Sequence, residues 1–201
     1  MNKTDKILVT GASGFIGSRL IKSLYEGGFT DIRATSWSRD LRNDFEGCEN
    51  VEFLKGNLQD ADFCEIVSKD IDVIFHCAAN TSNALDTKFN PLLHVTPNIE
   101  MNVNLMEQSW RNKVRKFMFI SSNTTYPDMG DIPCTEDIEV QTPDIVPVYK
   151  AVGNMKRYCE TLCDFFSNQI HEPMQCIIIR PSNAFGPNDK YDFEKCHVTP
   201  A

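Results

Sequence analysis

The sequence lacks the features that mark metal-binding, membrane and nucleic-acid-binding proteins. It has no Cys-x-x-Cys pair, and none of its 4 histidines stands at ligand spacing from one of its 8 cysteines, so we expect no metal site. It has no apolar run near the ~20 residues that a bilayer span needs, and we expect no membrane contact. Its net charge is −8, so it has no excess of positive charge and we expect no nucleic-acid partner.

We also expect no secretory leader, because Met1–Lys6 runs directly into a strand pattern and a glycine-rich loop. Four cysteines stand within apolar patterns, namely Cys77, Cys159, Cys163 and Cys176. A free cysteine packs as a small hydrophobe, and free thiols persist in a reducing compartment. We therefore expect buried free thiols and a cytoplasmic protein.

Short apolar runs alternate with stretches of helical periodicity, which is typical of a parallel sheet covered by helices on both faces. The predicted strands are Lys6–Thr10, Asp31–Trp37, Val51–Lys55, Val73–Cys77, Lys116–Ser121 and Cys176–Arg180. The predicted helices are Gly14–Glu26, Ala61–Lys69, Pro97–Asn112 with Pro97 in its first turn, and a last one that ends near Gln169. On the first helix we expect the core to be faced by Phe15, Ile16, Leu20 and Leu24. The predicted fold class is α/β, a doubly wound parallel sheet of the Rossmann type.

A glycine-rich loop, Gly11-Ala12-Ser13-Gly14-Phe15-Ile16-Gly17, joins the first strand to the first helix. We expect Gly11 to permit a tight turn, Gly14 to let the backbone approach a pyrophosphate, and Gly17 to let the helix pack closely. The unpaired N–H groups and the dipole of a helix N-terminus attract an anion. The loop therefore predicts a dinucleotide site.

The spacing Gly-x-x-Gly-x-x-Gly resembles that of the extended short-chain dehydrogenase/reductases, which include nucleotide-sugar epimerases, dehydratases and reductases. Later segments resemble the same family in the same order: Gly56–Asp60, Asp72–Ala79, Asn98–Glu107 and Arg180–Pro187. The resemblance implies an NAD(P) cofactor that is contacted by the glycine loop and by Asn57, Leu58, Cys77, Ala78, Ala79, Lys156, Pro181 and Asn183.

Two further segments resemble the GDP-fucose synthases within that family. They are Tyr126-Pro127, and the run from Gly186 to Ala201. This resemblance implies a nucleotide-sugar substrate and a nicotinamide cofactor. The family also pairs subunits through two long helices, which implies a homodimer through Pro97–Asn112 and Gly153–Gln169.

The end of the second predicted strand bears on the choice of cofactor. An acidic residue there would bind the adenosine ribose and favour NAD, but Ser36-Trp37-Ser38-Arg39 has no carboxylate before Asp40. Ser36 and Ser38 could hydrogen-bond a 2′-phosphate, and Arg39 or Arg42 could pair with it. We favour NADP over NAD, and the alternative is that both arginines are solvated loop charges.

The family's catalytic residues are a Ser or Thr after the fifth strand, then a Tyr and a Lys four residues apart on the next helix. The segment Ile120–Pro127 resembles the first element and implies that Ser122 is the catalytic hydroxyl. The Tyr-x-x-x-Lys motif itself is not intact in this sequence.

Three registers of that helix compete. Tyr149 is followed four residues later by Gly153, Lys150 has that glycine three residues on, and Lys156 begins a Lys-x-x-x-Glu run with apolar residues at the family's positions. We prefer Lys156 as the catalytic lysine, which leaves Tyr149 ~10 Å away along a regular helix. We interpret Gly153 as the start of the helix, so that Tyr149 folds inward as the acid/base. Tyr126 is a reserve hydroxyl, and the alternative is that Tyr149 is a surface tyrosine.

The resemblance predicts an NAD(P)-dependent nucleotide-sugar epimerase, dehydratase or reductase. The alternatives are a steroid- or flavonoid-type reductase of the same superfamily and a dinucleotide-binding module without catalysis. We divide the chain into a dinucleotide-binding domain over residues 1–180 and the start of a substrate-binding lobe over residues 181–201. We expect that the sequence is a fragment, or that most of the second lobe is missing.

Overall fold

The computed structural model describes residues 1–41, 45, 47–48, 50–81, 89–90, 92–136, 138, 144–182 and 184–186. Within these ranges the strands are β1 (Ile7–Thr10), β2 (Ile32–Ser36), β3 (Val51–Lys55), β4 (Val73–His76), β5 (Lys116–Ile120) and β6 (Gln175–Ile179). The α-helices there are α1 (Phe15–Glu26), α2 (Ala61–Ser68), α3 (Leu92–Arg111) and α4 (Lys150–Asp164). Each predicted strand is present with its ends moved by no more than one residue.

The six strands form one parallel sheet in the order β3-β2-β1-β4-β5-β6. The chain builds outward from β1 in one direction and then returns to add β4 on the other side. This order is that of a doubly wound Rossmann sheet and confirms the predicted fold class. The reversal leaves a crevice beyond the carboxyl ends of β1 and β4, which is where such sheets bind ligands.

Each face of the sheet carries its own apolar layer, because successive side chains of a strand point to opposite faces. On one face, Ile7 and Val9 of β1 pack with Ile21 and Leu24 of α1. On the other face, Leu8 packs in a layer that includes side chains of α2, α3 and α4, among them Cys64, Leu105 and Met155. The central strand is therefore buried on both sides, as its continuous apolar sequence indicates.

The expected inner face of α1 is partly wrong. Leu24 is buried as predicted, and Leu20 packs against the core, but Ile21 takes the fully buried position and Ile16 is 38% exposed. Phe15 is half-buried. The first turn of α1 lies beyond the carboxyl end of β1, so its side chains have less sheet to cover than those of the later turns.

Helix α3 begins earlier than predicted. It starts at Leu92, so Pro97 lies inside the helix and not in its first turn. The Asn98 amide accepts a hydrogen bond from Asn80 N (2.8 Å) and donates to the Asn80 and His94 carbonyls (2.9 and 2.5 Å). These bonds hold the first part of the helix to the loop after β4, although proline removes one backbone donor.

The last helix ends where the sequence indicates, through one turn of π-helix over Phe165–Gln169 that follows α4. Two of the four expected buried thiols, Cys159 and Cys163, are buried, whereas Cys77 and Cys176 are half-buried. In the part of the chain that the structure describes, no helix is both long and apolar enough to cross a membrane.

Candidate functional site

A cavity of about 280 Å³ lies beyond the carboxyl ends of β1, β2, β3 and β4, at the point where the strand order reverses. Many of the predicted cofactor-binding residues line it: Gly11, Ser13, Gly14, Ser36, Asn57, Leu58, Cys77, Ala78 and Ala79. Ser38, which was expected near the 2′-phosphate, also lines the cavity, whereas the sequence did not indicate other lining residues, among them Trp37, Asn80, Pro97 and Met101. Four strand ends thus converge on one crevice.

The three loop glycines occupy positions with different steric demands. Gly11 has φ +68°, and a Cβ there would lie 2.7 Å from Ala78 N, so β1 and β4 meet too closely for a side chain. A Cβ on Gly17 would lie 2.3 Å from the Gly11 carbonyl oxygen. A Cβ on Gly14 would have only that oxygen within 4 Å, at 3.2 Å. Gly14 lines the cavity, so its missing side chain leaves room for a ligand.

The N-terminus of α1 is suited to an anion. Its N-cap residue is Gly14, no side chain caps the helix, and its first turn contains no acidic residue. The predicted contacts Phe15, Ile16 and Gly17 are not cavity-lining side chains. They form the first turn of α1, where the backbone N–H groups have no partner within the helix. The loop therefore offers N–H donors and a helix dipole to a phosphate.

The end of β2 carries no carboxylate in the cavity. Ser36 lines the cavity but is 5% exposed, and its hydroxyl donates to the Arg39 carbonyl. Ser38 lines the cavity, whereas Arg39 is exposed and lies outside the lining. Arg42 lies outside the described residues. The donors available to a phosphate here therefore come from the turn after the strand.

Polar groups of Thr10, His76 and Ala78 are linked by hydrogen bonds behind the glycine loop. The Thr10 hydroxyl accepts from Ala78 N (3.2 Å) and lies 2.7 Å from His76 Nδ1. Burial, together with the smaller effect of the nearby Lys156 charge, lowers the pKa of His76 to about 3. The ring is therefore neutral at pH 7, and Nδ1 shares a hydrogen bond with the Thr10 hydroxyl whose direction depends on the tautomer. His76 was predicted only as part of a strand, because sequence spacing does not show what faces its ring.

Ser122 lies in the loop after β5, at the start of a 3₁₀ turn over Asn123–Thr125. Its hydroxyl oxygen accepts from Thr124 N (3.1 Å) and from the Thr124 hydroxyl (2.9 Å). Pro181 lies beside this turn, because its carbonyl accepts from Asn123 N (3.2 Å), and is not among the cavity-lining residues. Asn183, the other predicted contact in that segment, lies outside the described residues.

Lys156 is buried beneath the loop that carries Ser122. Its Nζ donates to the Ile120 carbonyl (2.8 Å) and lies 4.7 Å from the centroid of the Phe119 ring. Burial lowers the pKa of Lys156 to about 8. Lys150, in contrast, is exposed and pairs with Asp144 (3.4 Å). This geometry favours Lys156 over Lys150 as the lysine of the site.

Tyr149 is not brought to Ser122 or Lys156 by any contact in the described part of the chain. It ends a 3₁₀ turn over Pro147–Tyr149, is 37% exposed, and has no hydrogen bond from its side chain there. The position four residues before Lys156 is Val152, which packs against the apolar core. Tyr126 has a structural position, since its ring lies 5.1 Å from the Arg180 guanidinium.

The interpretation of Gly153 as the start of the helix is wrong. Helix α4 begins at Lys150, and Gly153 is buried inside its first turn. A Cβ on Gly153 would lie 2.4 Å from the Thr124 carbonyl oxygen, so the glycine permits close contact between the helix and the turn that holds Ser122. Sequence alone does not distinguish these two uses of glycine, since the contact is with a distant segment.

A partly buried ion pair, which the sequence did not indicate, joins Arg180, the residue after β6, to Glu160 of α4. Glu160 accepts from Arg180 Nε (2.9 Å) and Nη2 (2.7 Å), and also from the Ser121 hydroxyl. The carboxylate raises the pKa of Arg180 further above its ordinary value. Glu160 was noted only as part of a motif, and the motif does not reveal its partners.

No group of three or more His, Cys, Asp or Glu side chains that could hold a metal ion is found among the described residues. The fold and the crevice together are those of a Rossmann-type dinucleotide-binding domain. A family model described as the NAD dependent epimerase/dehydratase family matches residues 7–201. The chain belongs to this family.

Individual relatives agree with that assignment. The chain is 26% identical over 196 residues to a GDP-L-fucose synthase of Sinorhizobium fredii, covering 98% of this chain and 57% of the relative. It is 26% identical to the solved UDP-N-acetylglucosamine 4-epimerase of Methanobrevibacter ruminantium, with a TM-score of 0.80, covering 98% of this chain and 60% of that one.

A third comparison supports the fold alone. A GDP-D-glycero-L-gluco-heptose synthase from Campylobacter jejuni, crystallised in the presence of NADPH, is 20% identical with a TM-score of 0.80. The alignment covers 100% of this chain and 54% of that protein. The chain thus spans little more than half the length of the proteins it resembles.

Proposed function

We propose that the protein binds a nicotinamide dinucleotide, NADP in preference to NAD, and uses it in an epimerase, dehydratase or reductase reaction on a nucleotide-linked sugar. The observation that carries this proposal is the uncapped N-terminus of α1, which opens on the cavity at the strand reversal. The relatives' names, which include a GDP-sugar and a UDP-sugar enzyme, support the class of substrate.

The residues present fit a dinucleotide. The backbone of the loop from Gly11 to Gly14 and the first turn of α1 would bind the pyrophosphate, while Asn57 and Leu58 would contact the adenine. Lys156 uses one of its three ammonium donors on Ile120, so two donors remain for the hydroxyls of a ribose. When bound, the nicotinamide supplies a donor or acceptor of hydride.

The preference for NADP rests on the turn after β2. Among the described residues, no carboxylate lines the cavity at the end of that strand to repel a 2′-phosphate. Ser38 would donate to the phosphate and Arg39, which is exposed on the same turn, would pair with it.

In the proposed reaction, Ser122 and Tyr149 act on the sugar. The Ser122 oxygen accepts two bonds from Thr124, and its hydroxyl donates to Asn123 Oδ1 over 3.4 Å, a long bond that donation to a sugar oxygen would replace. Tyr149 would move a proton on or off the sugar hydroxyl from the exposed end of the 3₁₀ turn. The Lys156 ammonium beneath the loop would stabilise negative charge near the reacting atoms.

One observation favours a second candidate, a dinucleotide-binding module without catalysis. Val152 occupies the position where the resembled enzymes have tyrosine, and its side chain is packed against the core. A valine cannot transfer a proton, so turnover depends on Tyr149, which shows no contact to Ser122 or Lys156 among the described residues. This candidate keeps the cavity and its cofactor but has no substrate chemistry.

We further propose a cytoplasmic location and a homodimer that pairs through α3 and α4. Seven cysteines of the described residues are free thiols, of which Cys134 is exposed. An exposed thiol fits a reducing compartment. The dimer stays a prediction that follows from the family.

Replacing Gly14 by valine should abolish dinucleotide binding while the protein stays folded. Gly14 has φ −82°, and an added Cβ meets only the Gly11 carbonyl oxygen, at 3.2 Å, so the loop has to shift by a few tenths of an ångström while the side chain blocks the approach of the phosphate. Binding of NADP and NAD would be measured by calorimetry, with circular dichroism to check the fold. Ser23→Val, on the exposed face of α1, is the matched control and should bind as the unaltered protein does. Unchanged binding by Gly14→Val would refute the proposed site.

Replacing Tyr149 by phenylalanine should abolish turnover without weakening cofactor binding, because the change removes only the hydroxyl. The full-length protein would be assayed by oxidation of NADPH with GDP-linked 4-keto-6-deoxy sugar as substrate. Tyr158→Phe, an exposed tyrosine on α4, is the control and should leave turnover unchanged. Turnover that survives in Tyr149→Phe would assign the proton transfer to another group, and no turnover in the unaltered protein would favour the binding module.

A further inference from the structure

Trp37 is the largest exposed side chain at the mouth of the cavity. It follows the last residue of β2, is 72% exposed, and lines the cavity. The sequence has one other tryptophan, Trp110. Its Nε1 donates to the Glu172 carbonyl (3.0 Å), and the centroid of its ring lies 6.5 Å from that of the Phe166 ring. An exposed aromatic ring that lines a cavity is suited to contact with a ligand.

The backbone around Trp37 is held in place on both sides. Ser36, immediately before it, is buried and donates through its hydroxyl to the Arg39 carbonyl, which closes the turn after Trp37. Gly56 N donates to the Ser36 carbonyl (3.0 Å), so the residue after β3 is tied to the end of β2. The backbone of Trp37 is therefore held at the cavity by the end of β2 and by the turn that follows it.

The cavity has an anion-binding end and an aromatic end. Gly11 and Gly14 line it at the N-terminus of α1, where a phosphate would bind, and Trp37 lines it at the end of β2. Leu58, which follows β3 and is 6% exposed, adds an apolar surface to the same cavity. A ligand with a phosphate at one end and a flat, heteroaromatic base at the other matches both ends.

We infer that Trp37 stacks on the adenine base of the bound dinucleotide and sets the affinity for its adenosine half. This inference rests on the proposed function. Stacking on a π-face requires no charge on the ligand, so Trp37 holds the base whether or not the ribose carries a 2′-phosphate. The choice between NADP and NAD then falls to Ser38 and Arg39, on the same turn.

Fluorescence and calorimetry with nucleotide fragments test the inference. We expect adenosine 5′-monophosphate and adenosine 2′,5′-bisphosphate to quench the emission of the unaltered protein and of Trp110→Phe, but not the remaining emission of Trp37→Phe. Trp37→Ala should bind both adenosine nucleotides about tenfold more weakly, whereas Trp37→Phe should keep most of the affinity. Nicotinamide mononucleotide, which has no adenine, should bind equally to all variants.

The outcomes separate this inference from the proposed function. If the unaltered protein binds NADP but Trp37→Ala binds both adenosine nucleotides equally well, the inference is overturned and the dinucleotide site remains. Quenching that is lost in Trp110→Phe and kept in Trp37→Phe overturns it as well. If neither NADP nor NAD binds to the unaltered protein, the proposed function fails, and with it the inference.

Discussion

Glu160→Gln is expected to lower the free energy of unfolding by about 3 kcal/mol, because it leaves the partly buried Arg180 guanidinium without its counter-charge. The Glu160 side chain is 7% exposed and that of Arg180 is 21% exposed, so water compensates little for the loss. The carboxylate also accepts from the Ser121 hydroxyl, and the amide of Gln cannot satisfy all three donors with its single oxygen.

Glu107→Gln is a matched control for that substitution. Glu107 pairs with Arg111 in an exposed i,i+4 ion pair on α3, with 44% of the Glu107 side chain exposed. Pairs of this kind contribute about 0.3–0.5 kcal/mol, so the control should change little. Urea denaturation of the three proteins measures the difference. Equal losses in the two variants would contradict a partly buried pair that joins Arg180 to Glu160 of α4.

The stability of the fold should fall as the pH drops below 6.5, and His76 should account for a large part of the loss. Burial lowers the pKa of His76 from its ordinary 6.5 to about 3, so the unfolded chain takes up the proton first. Between those two pH values the unfolded state binds more protons than the folded state, and stability decreases as pH decreases. At pH 5 the expected loss relative to pH 7 is about 2 kcal/mol from this residue.

The test compares the pH dependence of the free energy of unfolding among variants. His76→Gln should lose about 2 kcal/mol less than the unaltered protein does between pH 7 and pH 5, although its stability at pH 7 is also lower. His171→Gln, which changes an exposed histidine, should keep the original pH dependence. Should His76→Gln fail to fold, the His76 ring signal in the NMR spectrum of the unaltered protein must show no titration between pH 5 and pH 8. A titration midpoint near 6.5 would refute the buried, neutral ring.

The residues around Lys156 show what a sequence motif can indicate about a site and what it cannot. The Lys-x-x-x-Glu run led us to prefer Lys156 because it resembles the family's run and is followed by apolar residues at the family's positions. It did not show that Lys156 donates to Ile120 or that Glu160 pairs with Arg180, since these contacts join segments far apart in sequence. The predicted start of the helix was wrong for the same reason, because the glycine at position 153 permits close contact with the Thr124 carbonyl oxygen of a distant segment.

The local sequence pattern also failed to identify some of the residues that line the cavity. Trp37 was assigned to the end of a strand, and an aromatic residue there is as consistent with a buried core position as with an exposed one. Its 72% exposure depends on where β2 ends relative to β3, which the pairing of Gly56 with Ser36 decides. Pro97 also lines the cavity, from inside α3 and not from its first turn as predicted.

By itself, the sequence determined the parallel α/β sheet, its strand segments and the glycine loop between β1 and α1. These depend on local signals, namely apolar periodicity and the need for glycine where backbone segments turn or approach closely. The tertiary structure alone decided which side chains meet in the crevice: Trp37 at its mouth, the neutral His76 behind the glycine loop, and Lys156 beneath Ser122. Such contacts, burial and pKa values depend on strand order and helix packing, which bring together residues that no spacing along the chain relates.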